Sequence, residues 1–339
     1  MRNIYDYTLQ ELEDYFLVHN EKKFRAQQVY EFLYKKRIKS FDRMNNLGKR
    51  TIELLEKTCS FDRIKLVLKQ EDKDVKKYLF ELFDGQRIEA VLMHHNYGNS
   101  ICVSSQVGCN MGCTFCESGR LKKIRNLEAY EMVEQLLYIE EDINCRISHV
   151  VVMGIGEPFD NYDNVIKFIK IINNPKGIDI GARHITVSTC GIIKGIEKFT
   201  AEKEQVNLAI SLHAPNDELR KKIMPIAKAN KLTDLMESIK KYIEKTNRRV
   251  TFEYIMLSEV NDSEACAKEL SNLLKGINCY VNLIPYNETE NIEYKRTKKD
   301  KILNFYDILK KNKINVTIRK EFGGKVDAAC GQLRANNNI

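Results

Sequence analysis

Proline is scarce, 5 residues in 339, and the chain has no Ser- or Gly-rich linker, no low-complexity tract and no short-period repeat. A length of this order carries a prior of about two domains at roughly 150 residues each. Without a flexible tether, the two are expected to be closely joined. Long apolar runs are missing too: none approaches the ~18 residues of a membrane-spanning helix. The N-terminus, MRNIYDYTLQELEDYF, carries acids where a secretory signal would be apolar, so the expectation is a cytoplasmic protein that does not engage a membrane. The dinucleotide-binding pattern GxGxxG is also absent.

Hydrophobic residues make up 43% and charged residues 30%, enough apolar material for a sizeable core, which excludes disorder as the dominant state. Lys plus Arg is 55 and Asp plus Glu 47, a net charge of +8 that suits a polyanionic partner better than an acidic surface would. Ten cysteines in an intracellular chain do not read as a disulfide framework. They are core residues, reactive thiols or metal ligands.

The first sixty residues read as helices, with Phe24, Gln28, Phe32 and Lys35 at helical spacing and a second pattern in RTIELLEK. Three strand-like runs follow, DRIKLVL, KKYLFELF and QRIEAVLM. Asp84-Gly85 between the last two predicts a two-residue hairpin. Residues 1–95 are thus expected to form an accessory domain of helices and a small antiparallel sheet, and residues 96–339 the main domain. From residue 100 onward, strands alternate with helices. The strands are ICVSSQ, SHVVVM, HITVST, VNLAISL, RVTFEYIML, CYVNLIPY and INVTIRK. Helical stretches such as EAYEMVEQLLYIEE and EACAKELSNLLKG lie between them, which argues for parallel βα units in an α/β barrel or partial barrel. A doubly wound open sheet is the alternative. In a barrel, the chemistry gathers at the C-terminal ends of the strands.

The sharpest local signal is Cys109-Asn-Met-Gly-Cys113-Thr-Phe-Cys116, on a strand-to-helix loop. Thiolates select zinc, copper(I) or iron–sulfur clusters, and a Cys₄ zinc site would need a second CxxC pair that is not here. Three thiolates on a [4Fe–4S] cluster leave one iron open to a small molecule. The bland alternative is three thiols with no metal.

This CxxxCxxC resembles that of the radical S-adenosylmethionine (SAM) enzymes, whose fold is a partial (βα)₆ barrel. Further strings resemble one branch of them: Phe24-Arg-Ala-Gln-Gln28, Cys102-Val-Ser-Ser-Gln-Val-Gly-Cys109, Arg125-Asn-Leu127, Met153-Gly-Ile-Gly-Glu-Pro158, Ser211-Leu-His-Ala-Pro-Asn-Asp217 and Asp327-Ala-Ala-Cys-Gly-Gln-Leu333. Together, and in this order, they are similar to the RlmN/Cfr RNA adenine methyltransferases over nearly the whole chain. The resemblance implies a cluster held by Cys109, Cys113 and Cys116, two SAM molecules per turnover, and an electron donor such as flavodoxin or ferredoxin. It implies Cys330 as the methyl-carrying cysteine, Cys102 as the resolving cysteine, and Glu89 as the acid that assists proton removal. Gly156, Glu157, Ser188, Ser211, Leu212, His213 and Asn287 would line the SAM site. Read without the resemblance, Cys330 and Cys102 are small buried hydrophobes, His213 is a satisfied core histidine and Glu89 a solvated strand carboxylate.

The implied substrate is adenosine in large-subunit (23S) ribosomal RNA and in transfer RNA beside the anticodon, methylated at carbon 2 by a monomeric enzyme. Methylation at carbon 8, and a noncatalytic iron–sulfur RNA-binding or redox protein, are the competing readings. Pro158 and the HAPND string resemble the carbon 2 branch, and binding alone would need neither Cys330 nor Cys102. The chain departs from the family pattern at Glu117-Ser118-Gly119 and at Cys190, where Ser is more typical. Two basic runs, Arg120/Lys122/Lys123/Arg125 and Lys35/Lys36/Arg37/Lys39, are candidate phosphate contacts that also read as solvated faces.

Overall fold

The computed structural model describes residues 1–319, 328 and 330–333. The chain opens with β1 (Arg2–Asn3), α1 (Leu9–Val18), α2 (Phe24–Tyr34), α3 (Lys49–Thr58) and β2 (Cys59–Ser60), the last pairing in parallel with β1. Thr8 and Glu11 form a reciprocal capping box that starts α1. In α2 the buried stripe is Ala26, Val29, Tyr30 and Leu33, the i, i+3, i+4, i+7 set of a core-facing helix. Phe24, used above to mark the period, is 48% exposed, so that spacing found the helix but not its inward face.

Strands β3 (Lys65–Asp72), β4 (Val75–Glu81), β5 (Arg87–His95) and β6 (Gly98–Val103) form an antiparallel meander. The β4–β5 turn is not the two-residue hairpin predicted from Asp84-Gly85. The Leu82 amide donates to the Gln86 carbonyl (2.7 Å), leaving Phe83, Asp84 and Gly85 as a three-residue loop. Gly85 closes it with a left-handed φ of 78°, the usual geometry at the last position of such loops. Residue 95 ends β5 in the β5–β6 hairpin, so the sheet runs continuously past that point.

β6 then pairs in parallel with β9 (Ile147–Val152), after the short antiparallel pair β7 (Gln106–Val107) and β8 (Arg125–Asn126). Parallel pairing continues through β10 (Ile185–Thr189), β11 (Asn207–Ser211), β12 (Val250–Met256), β13 (Cys279–Pro285) and β14 (Val316–Ile318). All belong to one ten-stranded sheet, ordered β14-β13-β12-β11-β10-β9-β6-β5-β4-β3, and among the described strands β6 and β14 do not pair to close it. This is a partial barrel, and the strand-by-strand order excludes the doubly wound alternative. Helices α4 (Ala129–Ile143), α5 (Tyr162–Asn173), α6 (Ile193–Phe199), α7 (Asp217–Ile223), α8 (Leu232–Thr246), α9 (Glu264–Leu274) and α10 (Lys299–Lys311) follow the strands.

The period of two along each strand sorts its side chains. Ile101, Val150, Val187, Ile210, Phe252 and Leu283 join the main apolar core. Their neighbours Cys102, Ser188, Ser211, Glu253 and Ile284 line internal cavities instead. The same core takes in Tyr5 and Tyr30 of the N-terminal region and Met132 and Leu136 of α4. An ion pair between Arg63 and the fully buried Glu134 of α4 ties the two regions together.

Candidate active site

The loop after β7 carries the three cysteines. The Cys109 amide donates to Leu121 O (3.0 Å), Thr114 N to Ile223 O (3.0 Å) and Cys116 N to Cys113 O (3.2 Å), so the loop is pinned from both sides. Gly119 packs against it so closely that a Cβ there would lie 2.6 Å from the Cys113 carbonyl oxygen. All three thiols line one cavity of about 150 Å³. Burial and the neighbouring thiols push their pKa values up, Cys109 to about 12. Such a trio is stable as thiolates only when a metal neutralises it. Among the described residues, no three His, Cys, Asp or Glu groups are arranged to hold a single metal ion. A cubane cluster asks for something else, since each thiolate takes its own iron. The donor set and its common cavity fit a [4Fe–4S] cluster.

Gly156, Glu157, Ser188, Ser211 and His213 line the same cavity, each at the C-terminal end of a barrel strand. Gly156 has φ 109°, and a Cβ there would meet Gln106 at 2.6 Å. That contact lets Gln106 Oε1 accept from the Glu157 amide (2.9 Å). The Glu157 carboxylate accepts from Phe159 N (3.0 Å) and Cys190 N (2.7 Å), and burial raises its pKa. Each oxygen keeps a lone pair that an ammonium group could use.

His213 is both a satisfied histidine and a cavity residue. Its Nδ1 accepts from Ile255 N (3.0 Å), which leaves the proton on Nε2. Burial, then the charge of Arg220, lower its pKa to about 3, so the ring is neutral. Phe115, beside the last cluster cysteine, meets it edge-on at 4.9 Å. The remaining expected SAM residues lie elsewhere. Leu212 turns its side chain into the main core. Asn287 lines the adjoining cavity rather than this one.

That adjoining cavity, about 70 Å³, holds Cys102 and Cys330 together. Cys330 and Cys116 line both cavities. The C-terminal segment is held there by the residues that depart from the family pattern. Glu117 N donates to Gly331 O (2.8 Å) and Ser118 Oγ to Leu333 O (2.6 Å). Gln332 Nε2 adds a bond to Glu288 O (3.2 Å). Residues 327 and 329 of the DAACGQL string lie outside the described residues. Cys190 stands in the cluster cavity and not in the Cys102 cavity. Glu89 is buried, contrary to the solvated reading, and pairs with Lys77 at 3.3 Å. It shares the β5 face with Val91 and Met93, which line the Cys102 cavity, but does not line it itself.

Three residues were missed from sequence. Arg220 is fully buried and donates to the carbonyls of Cys190 (2.6 Å), Leu212 (3.3 Å) and Asn230 (3.4 Å), stitching the rim of the cluster cavity. Glu253 and Arg319 line the cluster cavity 4.0 Å apart. Glu253 was detectable as a lone charge at an inward-facing position of a buried strand. Half of the residues in the basic runs are spent on ion pairs: Lys123 with Asp160, Arg125 with Glu131 and Asp84, Arg37 with Glu140, and Lys39 with Glu141.

Comparison with known proteins agrees with this geometry. Residues 103–268 match the radical SAM superfamily, and residues 2–60 the N-terminal domain of ribosomal RNA large subunit methyltransferases. A probable dual-specificity RNA methyltransferase RlmN from Enterococcus faecalis is 55% identical over 98% of this chain and 96% of its own length. One from Spiroplasma citri is 51% identical over 99% and 98%. The crystal structure of a radical SAM methyltransferase from Sphaerobacter thermophilus superposes with a TM-score of 0.93 at 38% identity, covering 99% of this chain and all of that one. The chain belongs to the RlmN family of radical SAM RNA methyltransferases.

Proposed function

We propose that this enzyme methylates carbon 2 of adenosine in 23S ribosomal RNA and in transfer RNA beside the anticodon, using a cysteine as the methyl carrier. The observation that supports it best is the shared wall: Cys330 faces the cluster cavity on one side and Cys102 on the other. Carbon 2 of adenine is an electron-poor amidine carbon with no nucleophilic lone pair, so it cannot displace a methyl group from a sulfonium. A [4Fe–4S] cluster on Cys109, Cys113 and Cys116, with SAM against Glu157, Ser188, Ser211 and His213, supplies one-electron chemistry that such a carbon requires.

The chain's own residues do the rest. Cys330 takes up the methyl group as a thioether; that group would lose one hydrogen atom to the one-electron chemistry above, its carbon would bond to carbon 2 of the base, and the surplus electron would return to the cluster. Glu89, oriented by Lys77, accepts the proton that leaves carbon 2. Cys102 then attacks the Cys330 sulfur as a thiolate. The sulfur–carbon bond breaks, its electron pair stays with the exocyclic carbon, and that carbon takes a proton to become the methyl group. The product on the protein is a Cys102–Cys330 disulfide. The N-terminal region to residue 95 contributes RNA contacts, a flavodoxin or ferredoxin delivers the electron, and the enzyme works as a cytoplasmic monomer.

The test is product identity. Anaerobic reconstitution should give about four irons per chain, the content of a cubane cluster. Incubation with both RNAs, SAM and a reductant, followed by nucleoside mass spectrometry, should give 2-methyladenosine. Only 8-methyladenosine would move the enzyme to the carbon 8 reading, and a stable zinc site without iron would remove the radical mechanism.

A further inference from the structure

A buried thiol is a poor nucleophile, and Cys102 is deeply buried. Burial first, and then the nearby Cys330, push its pKa up to about 12, while Arg319 acts in the opposite direction. As resolver it must attack as the thiolate. Some group has to favour the anion.

Arg319 follows directly on β14, and its backbone amide donates to Leu283 O (2.8 Å). Its side chain, 27% exposed, lines both the Cys102 cavity and the cluster cavity. It is the only Lys or Arg lining either among the described residues, and His213 is neutral. On its other side stands Glu253 at 4.0 Å. Glu253 is itself oriented: Asn282 Nδ2 donates to Oε1 (3.0 Å), and Thr317 Oγ1 donates to Asn282 Oδ1 (2.8 Å). Glu253 Oε2 is buried without a hydrogen bond, so Arg319 is its electrostatic partner. Among the described residues, the other titratable groups lining the Cys102 cavity are Cys330 and Cys116, and Tyr97 also acts on Arg319. On the neighbouring strands, the Lys77–Glu89 pair carries no net charge.

We propose that Arg319 is the positioning residue of the thiol pair: held by Glu253 between the two cavities, it supplies the positive charge against which Cys102 becomes a thiolate. This rests on the carrier–resolver reading and deepens it. The thiol proton goes to solvent, and the thiolate then forms the S–S bond while the Cys330 sulfur–carbon bond breaks. Glu253 sets how much of the guanidinium's charge is left for the thiols.

The test needs neither RNA nor SAM. In the cluster-loaded enzyme, kept anaerobic, the rate at which iodoacetamide labels Cys102 is followed against pH by peptide mass spectrometry. In Arg319→Gln the profile should move up by one pH unit or more, about a tenfold slower reaction at neutral pH. Arg319→Lys should stay near the parent, and Glu253→Gln should shift the profile down, because a competing anion is gone. Iron content per chain reports folding of each variant. If Arg319→Gln does not hold its cluster, the Glu253→Gln profile decides. An unchanged Cys102 profile in a folded Arg319→Gln, or an unchanged or upward one in Glu253→Gln, overturns the proposal. Failure of the parent to make 2-methyladenosine would instead count against the functional reading, since the labelling profile is independent of it.

Discussion

At the residue scale, Cys102 and Cys330 carry the feature that separates this chemistry from ordinary SAM-dependent methyl transfer. If Cys330 is the carrier, Cys330→Ala should bind its cluster and never methylate RNA. Cys102→Ala should still load a methyl group on Cys330 and couple to the base, then stall for want of a thiolate. The expected species is a denaturant-resistant RNA–protein adduct, seen on a gel and mapped by mass spectrometry to Cys330. Methylated RNA released by Cys102→Ala at the parental rate would assign resolution to another thiol. Cys190, the thiol that stands where Ser is more typical, is the first to test, and it lies in the cluster cavity with its amide on Glu157. Spacing made the cluster cysteines legible, because three ligands within eight residues form a local pattern. Arg319 and Glu253 have no such pattern: they come from strands far apart in the chain, and only the sheet brings them within 4.0 Å.

At the scale of elements, the turn at Glu117–Arg120 does two things. Its Gly119 packs on the cluster loop, and its Glu117 and Ser118 hold the C-terminal segment. This departure from the family pattern is therefore at the clamp, whereas the other, Cys190, stands in the cluster cavity. Ser118→Ala removes one buried hydrogen bond, worth about 1 kcal/mol, and leaves the Leu333 carbonyl to other partners. The iron content should be unchanged. Methyl loading of Cys330, measured by intact-protein mass after a short incubation with SAM, should slow by about fivefold, the rate equivalent of that energy. Loading at the parental rate would mean that the Glu117 and Gln332 bonds suffice to seat the segment.

For the whole molecule, the joint between the N-terminal region and the barrel is expected to respond to pH through Glu134. Burial raises the Glu134 pKa to about 7, while the charge of Arg63 partly offsets the rise. In the unfolded chain the same carboxyl titrates near its ordinary value, about 4.5. Between the two values the folded state holds more protons than the unfolded one, so this group costs stability as pH rises from about 4.5 to about 7, and the cost is constant above. Glu134→Gln cannot titrate. The difference in Tm between variant and parent should therefore grow in the variant's favour across that window, by several degrees, and level off above it. A difference independent of pH would show that the ion pair with Arg63 persists throughout.

Much of this molecule follows from local sequence. The alternation of apolar strands and amphipathic helices specifies parallel βα units, because each strand buried on its helix side needs a crossover helix to cover it. The cysteine spacing specifies a thiolate site, and the DAACGQL string marks a reactive cysteine by resemblance. Tertiary structure alone decides which side chains face inward together, since a period of two assigns faces but not partners. It put Leu212 in the core, Asn287 in the second cavity and Glu89 in a buried ion pair. It also turned half of the basic runs into ion pairs, because a charge run has no address until the acids opposite it are known. And it set Cys330 between the cluster loop and Cys102, across more than two hundred residues of chain, through hydrogen bonds to backbone carbonyls that no side-chain pattern encodes.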